Sequence, residues 1–191
     1  MLIELISYIG LWISFLVITI LFIVTFYVNV GLFMGTVRAK GVPYVGTMKG
    51  EINILKNHLK MKPGTKLIDL GCGDGKVLRL LVGSQGLNKG IGYDLNHIAV
   101  LWGKIINKYK KINNIEIKYN NFLKANLKEF DYIYIYLFPK HMAMYEDWIF
   151  ENMGDNAVII ANTFPFEKRK PFQMLLNDKG KERIFLYKKN N

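Results

Sequence analysis

The sequence lacks the residues from which most metal and disulfide sites are built. It contains a single cysteine, Cys72, so an intrachain disulfide is excluded and a reducing compartment fits. Its three histidines are scattered along the chain, and together with one cysteine they predict no metal site. Nothing near Cys72 in the sequence suggests a base that would activate its thiol. We therefore interpret Cys72 as a small residue in a tight turn.

Charge is absent from one long stretch near the N-terminus. No charged residue lies between Glu4 and Arg38, and the segment from Ile9 to Val30 is almost entirely apolar or aromatic. About 20 such residues cross a bilayer as a helix, so the run predicts a transmembrane anchor over residues 1–36. The bilayer would contact residues 5–36. A cleavable signal peptide is the competing interpretation, but it requires a basic start and a shorter apolar core.

Acidic residues are scarce in the remainder of the chain. The sequence has 15 Asp and Glu against 26 Lys and Arg, and its formal net charge is +11. Arg38, Lys40 and Lys49 follow the apolar run, whereas no Lys or Arg precedes it, so the positive-inside rule predicts a single-pass protein with its C-terminal part in the cytoplasm. An excess of basic residues can face nucleic acid, an acidic protein or an anionic membrane. The membrane surface already explains it here, and a nucleic-acid partner is not expected.

A glycine-rich segment organises the part of the chain that follows. Leu67–Leu70 can form a buried strand, three alternate glycines come next, and Val77–Leu81 has the pattern of a helix. A dinucleotide fingerprint would need a third glycine at Lys76, and a phosphate loop would need Ser or Thr after Gly-Lys. Both are missing. The segment is nevertheless a nucleotide-binding strand-loop-helix, because its glycines permit a sharp turn and a close approach by a ligand.

An acidic residue ends each of the first two predicted strands. Asp69 precedes Gly-x-Gly-x-Gly, and Gly90–Asp94 is a second strand ending about twenty residues downstream, where such folds bind a ribose diol. This pattern resembles motif I of the class I, seven-β-strand S-adenosylmethionine-dependent methyltransferases. The resemblance implies an α/β fold with a Rossmann-like, mostly parallel sheet and S-adenosyl-L-methionine as cofactor.

The rest of the sequence fits that fold class. The pattern predicts a linker and a covering helix over residues 37–62, with Thr47 as the helix cap, and a methyltransferase domain over residues 63–191. Ile98, Leu101, Trp102, Ile105 and Tyr109 form an apolar stripe in a helix that begins near His97, and we expect that stripe to face the core. The pattern predicts a first strand over 66–70, a helix over 76–84 and a later helix from about 141 to 152. Further strands are expected at 115–119, 131–137 and 157–161, with an antiparallel hairpin formed by 171–176 and 183–187.

The resemblance can be narrowed to one family. Four segments together resemble the membrane-associated protein-lysine methyltransferases related to the mitochondrial ATP synthase c-subunit lysine methyltransferase. These segments are Val42–Thr47, Asp69–Lys76, Gly92–Asn96 and Tyr136–Pro139. The sequence departs from the family pattern at Gly46, Asp94 and Asn121, where Pro, Glu and Asp are usual. The resemblance implies these cofactor-binding residues: Asp69, Gly71, Cys72, Gly73, Gly75, Asp94, Leu95 and Asn121. Tyr136, Phe138 and Pro139 are the candidate catalytic residues, because ligands bind beyond the carboxyl ends of parallel strands.

Two classes of function are compatible with the sequence. The first is a membrane-anchored methyltransferase that acts on a lysine of a protein, plausibly a membrane protein, with a lipid, a quinone-like molecule or RNA as alternative acceptors. The second is a non-catalytic membrane scaffold that keeps the fold.

Overall fold

A computed structural model describes residues 1–38 and 46–189 of the chain. Lys40 and most of the Val42–Thr47 motif lie outside the described residues. The described residues form five α-helices: α1 Leu2–Arg38, α2 Lys49–Asn57, α3 Lys76–Ser84, α4 His97–Tyr109 and α5 Pro139–Asn152. They also form seven strands: β1 Lys66–Leu70, β2 Lys89–Asp94, β3 Ile115–Tyr119, β4 Tyr132–Ile135, β5 Val158–Asn162, β6 Gln173–Leu176 and β7 Glu182–Tyr187.

The seven strands form one sheet in the order β3-β2-β1-β4-β5-β7-β6. The first five are parallel, and β7 pairs antiparallel with both β5 and β6. The strand order reverses between β1 and β4, which is the position where open α/β sheets bind ligands. The predicted mostly parallel sheet with an antiparallel C-terminal hairpin is confirmed.

Apolar side chains cover both faces of the sheet. One cluster joins β1 to helices α2, α3 and α4 through residues such as Leu55, Leu78 and Val100. The other joins β1 and β4 to helix α5 through residues such as Ile149 and Phe150. Because strands β1, β4 and β5 are covered on both sides, their sequences are almost continuously apolar.

Helix α1 leaves its apolar side chains exposed. Its segment Glu4–Gly31, 28 residues long, is apolar enough to cross a membrane by length and composition, and none of its most apolar stretch is buried in the structure. A signal sequence would satisfy the same criteria. Near its end α1 contacts α4, where Tyr27 Oη lies 3.3 Å from His97 Nε2.

The structure corrects three predictions about helices. Helix α2 is capped by Met48 without a side-chain hydrogen bond and ends at Asn57, so Thr47 is not its cap. Helix α5 begins at Pro139, earlier than expected, because proline is well suited to the first turn of a helix. The stripe on α4 does not face the core: Leu101, Trp102, Ile105 and Tyr109 are all exposed.

The buried face of α4 lies on the opposite side of that helix. It consists of Val100, Gly103 and Asn107. A Cβ at Gly103 would lie 2.3 Å from the carbonyl oxygen of Asp74, so only glycine allows α4 to pack this closely on the loop that precedes α3. Asn107 accepts a hydrogen bond from Arg79 Nη1 and is buried. Tight packing on small and polar residues therefore determines which face of α4 is inside.

Candidate active site

The glycine-rich loop connects β1 to α3 at the point where the strand order reverses. Gly71 and Gly75 have φ angles of 92° and 77°, a region that residues with a Cβ avoid. The N–H of Gly71 donates to the carbonyl of Tyr93 on β2 over 2.9 Å. Gly75 is the N-cap of α3, and a Cβ there would lie 2.5 Å from Ile117 Cδ1. The loop is thus held close to the sheet, with Gly71 half-buried and Gly75 buried.

Asp94 links this loop to the end of β2. One carboxylate oxygen accepts the N–H of Gly73 over 2.7 Å, and the other accepts the N–H of Asn96 over 2.7 Å. Burial raises the pKa of Asp94, although the N–H groups of Asn96, Gly73 and Leu95 act in the opposite direction. These three N–H groups leave part of the roughly four acceptor sites of a carboxylate open, so Asp94 can still accept a bond from a ribose hydroxyl.

Asp69 lies at the other side of the loop, almost fully buried on β1. Burial raises its pKa well above the usual value, and the carboxylates of Asp94 and Asp74 raise it further. A cation that approached these three carboxylates would relieve their mutual repulsion. The cluster therefore suits a positively charged ligand, in contrast to the basic character of the chain as a whole.

Arg79 fixes the remaining acid of the cluster. Its guanidinium contacts the Asp74 carboxylate over 2.9 Å and the Asp74 carbonyl over 2.6 Å. The same side chain donates to Asn107 on α4. The loop is consequently held to α3 and α4 before any ligand binds.

Cys72 lies inside the loop and is buried. Burial raises the pKa of its thiol well above the ordinary value, followed by the effect of the Asp69 and Asp94 carboxylates. Its Sγ occupies the space over Gly92, where a Cβ would lie 2.5 Å away. These observations favour a packing role for the side chain and leave its backbone as the part available to a cofactor.

The predicted cofactor-binding residue Asn121 lies after β3, where the family resemblance implies a contact to the adenine amino group of the cofactor. Asn121 Oδ1 accepts the N–H of Leu123 over 3.0 Å and so caps a short 3-10 helix, Phe122–Lys124. The oxygen that would accept an adenine amino group is therefore partly engaged, with one lone pair left. Leu95 is half-buried between Asp94 and Asn96. The cofactor contacts of Asn121 and Leu95 stay predictions.

Aromatic side chains line the carboxyl ends of β4 and β5. The ring centroid of Phe164 is 6.4 Å from that of Tyr136 and 6.3 Å from that of Phe138, with interplanar angles of 26° and 28°. In the chain, Leu137 lies between Tyr136 and Phe138. A Cβ added at Gly71 would lie 3.2 Å from Leu137 Cδ2. The segment that carries Tyr136 and Phe138 therefore passes beside the glycine loop, and the aromatic cluster Tyr136–Phe138–Phe164 lies at the same end of the sheet. Pro139, the third candidate, is the first residue of α5.

Sequence reasoning missed two parts of this site. Phe164 follows the end of β5, so the rule that ligands bind at carboxyl ends would have indicated it. Tyr134 pairs in register with Asp69, and its hydroxyl accepts a hydrogen bond from Asn162 Nδ2 over 2.8 Å. Burial raises the pKa of Tyr134, and the nearby Asp69 carboxylate adds to this rise. A neutral, hydrogen-bonded tyrosine thus lies next to the acidic cluster.

The chain is similar to known methyltransferases over most of this region. Residues 69–173 match the model of the family described as the ANTKMT methyltransferase domain. The adenine nucleotide translocase lysine N-methyltransferase of Mus musculus is 25% identical over 148 residues, which cover 76% of this chain and 62% of that protein. The ribosomal protein L11 methyltransferase of Oceanobacillus iheyensis is 29% identical over 127 residues, covering 66% of this chain and 40% of the relative. The chain thus spans less than two thirds of either protein.

A solved structure shows the same fold. The RNA methyltransferase of Salinibacter ruber, in complex with S-adenosyl-L-homocysteine, superposes with a TM-score of 0.68 at 18% identity. The match covers 75% of this chain and 93% of that one. The fold expected from the sequence is therefore confirmed.

Proposed function

Because the chain belongs to the ANTKMT methyltransferase domain family, we propose that it is a membrane-anchored, S-adenosyl-L-methionine-dependent methyltransferase that modifies a lysine of a protein at the cytoplasmic membrane face. The observation that carries the proposal is the position of the aromatic cluster at the same end of the sheet as the acidic glycine loop. The glycine loop suits the cofactor, and the aromatic cluster suits the methyl acceptor.

The residues of the loop fit S-adenosyl-L-methionine. Its ribose has two hydroxyls for the Asp94 carboxylate, and its positively charged groups suit the buried carboxylate of Asp69. Gly71 is half-buried and has no Cβ, so a ligand can approach the main chain of the loop closely at this residue. When bound, this cofactor supplies a methyl group on a sulfonium centre that is open to in-line displacement.

The aromatic cluster suits a lysine acceptor. Aromatic faces attract an ammonium group, and the exclusion of water by the rings disfavours its charged form. A lysine with the ordinary pKa of about 10.4 needs roughly 4 to 5 kcal/mol to lose its proton at pH 7. Tyr136, Phe138 and Phe164 would reduce that cost through desolvation and would hold the neutral amine in line. The proton leaves to solvent.

A membrane anchor makes a membrane protein the economical substrate. The mouse relative is by its name a lysine methyltransferase acting on adenine nucleotide translocase. A tether formed by α1 raises the effective concentration of partners in the same bilayer. We therefore propose that the modified lysine of the substrate lies close to the membrane surface.

The purified full chain, incubated with host membranes and radiolabelled S-adenosyl-L-methionine, tests this proposal. We expect label in protein, and mass spectrometry of the labelled species should locate it on lysine side chains. Label recovered in lipid or RNA would replace the proposed acceptor but keep the enzyme class. Failure of the wild-type chain to bind the cofactor in calorimetry would instead favour the non-catalytic scaffold.

A further inference from the structure

We propose that helix α4 docks on the anionic membrane surface through its exposed apolar side chains and so forms a second membrane contact beside α1. These side chains, called here the α4 outer face, are Leu101, Trp102, Ile105 and Tyr109. The proposal rests on the proposed anchoring by α1. It goes further, because it assigns a membrane contact to the methyltransferase domain itself.

The α4 outer face is exposed although its four side chains are large and mainly apolar. Trp102 and Tyr109 are 58% and 87% exposed, and Leu101 and Ile105 are about half exposed. The opposite side of the same helix packs on the sheet through Val100, Gly103 and Asn107. Within residues 1–38 and 46–189, these four large residues at helical spacing stay exposed, which is the pattern of an interaction surface.

The α4 outer face is continuous with the end of α1. Ile98 lies on the same side of α4, and its Cγ1 would be 2.5 Å from a Cβ at Gly31 of α1. One residue earlier, His97 meets Tyr27 of α1, with ring centroids 5.9 Å apart. The outer face therefore begins at the contact with α1 and extends away from it.

The length of α1 places that contact at the edge of the bilayer. A helix of 28 residues is about 42 Å long, whereas the hydrocarbon core is about 30 Å thick. The last residues of the span, including Tyr27 and Gly31, then reach the headgroup region. Helix α4 starts at the same depth.

The charge beside the α4 outer face complements an anionic surface. Lys104 and Lys108 lie on one flank of it, and within the described residues neither forms an ion pair. They also line a groove between α4 and β3 that includes Lys118. Tryptophan and tyrosine with flanking lysines are the residues enriched where helices lie in a membrane interface.

The same lysines argue against a second copy of the chain as the occupant. A symmetric contact through the α4 outer face would bring Lys104 and Lys108 of one copy close to those of the other. The chain already carries a formal net charge of +11, so two copies repel each other. An anionic lipid surface provides the missing countercharge.

Docking of α4 would fix the cofactor loop at the membrane. Asn96 caps α4 through bonds to the N–H groups of Ile98 and Ala99, and its own N–H binds Asp94. A helix held in the interface therefore holds the acid at the end of β2 a few residues away. This arrangement would restrict the enzyme to acceptors that reach the site along the bilayer surface.

Spin labels at three positions of the full chain test the proposal. In a Cys72→Ala background, Ile105→Cys reports on the α4 outer face, Ile20→Cys on α1 and Asp178→Cys on an exposed turn of the hairpin. The chain is reconstituted in vesicles of phosphatidylcholine and phosphatidylglycerol, and collision rates with oxygen and a water-soluble nickel complex are measured. We expect the oxygen-to-nickel ratio at residues 105 and 20 to exceed that at 178 several-fold.

The three labels separate the possible failures. A water-exposed label at 105 with a lipid-exposed label at 20 overturns the docking of α4 alone. Water exposure at both positions overturns the anchoring on which it rests. Spin–spin broadening between labels at 105 of different molecules shows that a second copy covers the face, which also overturns it. Trp102→Cys provides a second label on the same face if the first variant does not fold.

A charge reversal tests the role of the lysines. Lys104→Glu with Lys108→Glu should return the label at 105 to water and leave the label at 20 in lipid. Lys179→Glu with Lys181→Glu makes the same change of charge in the exposed hairpin and should leave both labels in lipid. An unchanged label at 105 in the first pair would contradict electrostatic docking.

Discussion

The N–H of Gly73 donates to the carboxylate of Asp94 over 2.7 Å, so the acid that ends β2 holds the middle of the glycine loop. The other carboxylate oxygen holds the start of α4 through the N–H of Asn96. One side chain thus fixes two neighbouring segments through hydrogen bonds within the protein itself. Preorganisation of this kind reduces the free energy that a ligand must spend on ordering the loop.

Replacement of Asp94 should abolish most of the cofactor binding. Asp94→Ala removes the proposed ribose acceptor and frees the loop at Gly73, and hydrogen bonds to charged groups contribute about 1.5 to 3 kcal/mol each. We expect the dissociation constant for S-adenosyl-L-methionine to rise at least about tenfold, measured by isothermal calorimetry.

Asp178→Ala is the matched control for this experiment. Asp178 is exposed in the turn between β6 and β7, far along the chain from the loop, and its replacement should leave the binding unchanged. Thermal unfolding of both variants shows whether Asp94→Ala still folds. A folded Asp94→Ala protein with wild-type affinity would refute the role assigned to this carboxylate.

Much of the sheet could be predicted because its signals are local. Strands β1 and β3 and helix α3 have the predicted bounds, since apolar runs and glycine turns mark their ends directly. The differences at β4 and α5 concern a few residues near Phe138. There, Pro139 begins the helix at once, whereas the sequence pattern extended the strand to Leu137.

Helix α4 shows that a hydrophobic pattern does not identify which face of a helix is buried in the core. The periodicity of Leu101, Trp102 and Ile105 was found correctly, but the prediction that this stripe is core is wrong. Periodicity identifies an apolar face without identifying the medium that face meets. The inner face depends on a close approach at Gly103 and on a hydrogen bond at Asn107, and both require knowledge of the partner segments.

The candidate active site was also predictable in part from the sequence. Two neighbouring strands contribute the acids, because Asp69 lies in β1 and Asp94 ends β2. The three glycines directly follow β1, so topology alone predicts that the acids and the glycines meet. Phe164 stands about twenty-five residues after Phe138 along the chain and joins it only because β4 and β5 are neighbours. The pairing of β4 with β5 could be predicted from the sequence, whereas the stacking of the rings could not.

Gly75→Ala should destabilise the protein strongly. The new Cβ would lie 2.5 Å from Ile117 Cδ1, and the residue would keep a φ of 77°. The left-handed conformation costs about 1 kcal/mol, and overpacking adds about 1 to 3 kcal/mol, so we expect a loss of about 2 to 4 kcal/mol in the free energy of unfolding. Urea unfolding followed by circular dichroism measures it.

Gly83→Ala is the control within the same helix. No atom lies within 4 Å of a Cβ at Gly83, so alanine there should stabilise the protein by about 0.5 to 1 kcal/mol. Adding Ile117→Val to Gly75→Ala should recover part of the loss by relieving the contact. Equal effects of alanine at positions 75 and 83 would show that the contact with Ile117 is unimportant.

The stability of the ligand-free protein should depend on pH through Asp69. Burial raises the pKa of Asp69 in the folded state, so the folded protein binds this proton more tightly than the unfolded chain. Its contribution is most favourable below the unfolded pKa of about 3.9 and falls as the pH rises towards the folded pKa. Asp69→Asn removes this penalty.

We therefore expect Asp69→Asn to exceed the wild type in free energy of unfolding near pH 7, and the difference to shrink towards about pH 4. Groups whose pKa is lowered, such as Asp147, titrate in both proteins and cancel in the comparison. Urea unfolding across this pH range measures the difference. A difference independent of pH would argue against a buried, titrating carboxyl at position 69.

The aromatic cluster should affect methyl transfer without affecting the cofactor. Phe138→Ala removes a ring proposed to contact the acceptor, and an aromatic or cation–π contact contributes about 0.5 to 2 kcal/mol, so kcat/KM for the labelled membrane substrate should fall about twofold to thirtyfold. Cofactor affinity should stay within about twofold, because the loop does not depend on this ring.

Phe172→Ala is a matched control, since Phe172 is 40% exposed and Phe138 is 36% exposed, and it should retain full activity. Equal losses of cofactor binding and methyl transfer in Phe138→Ala would mean that the ring supports the loop and not the acceptor.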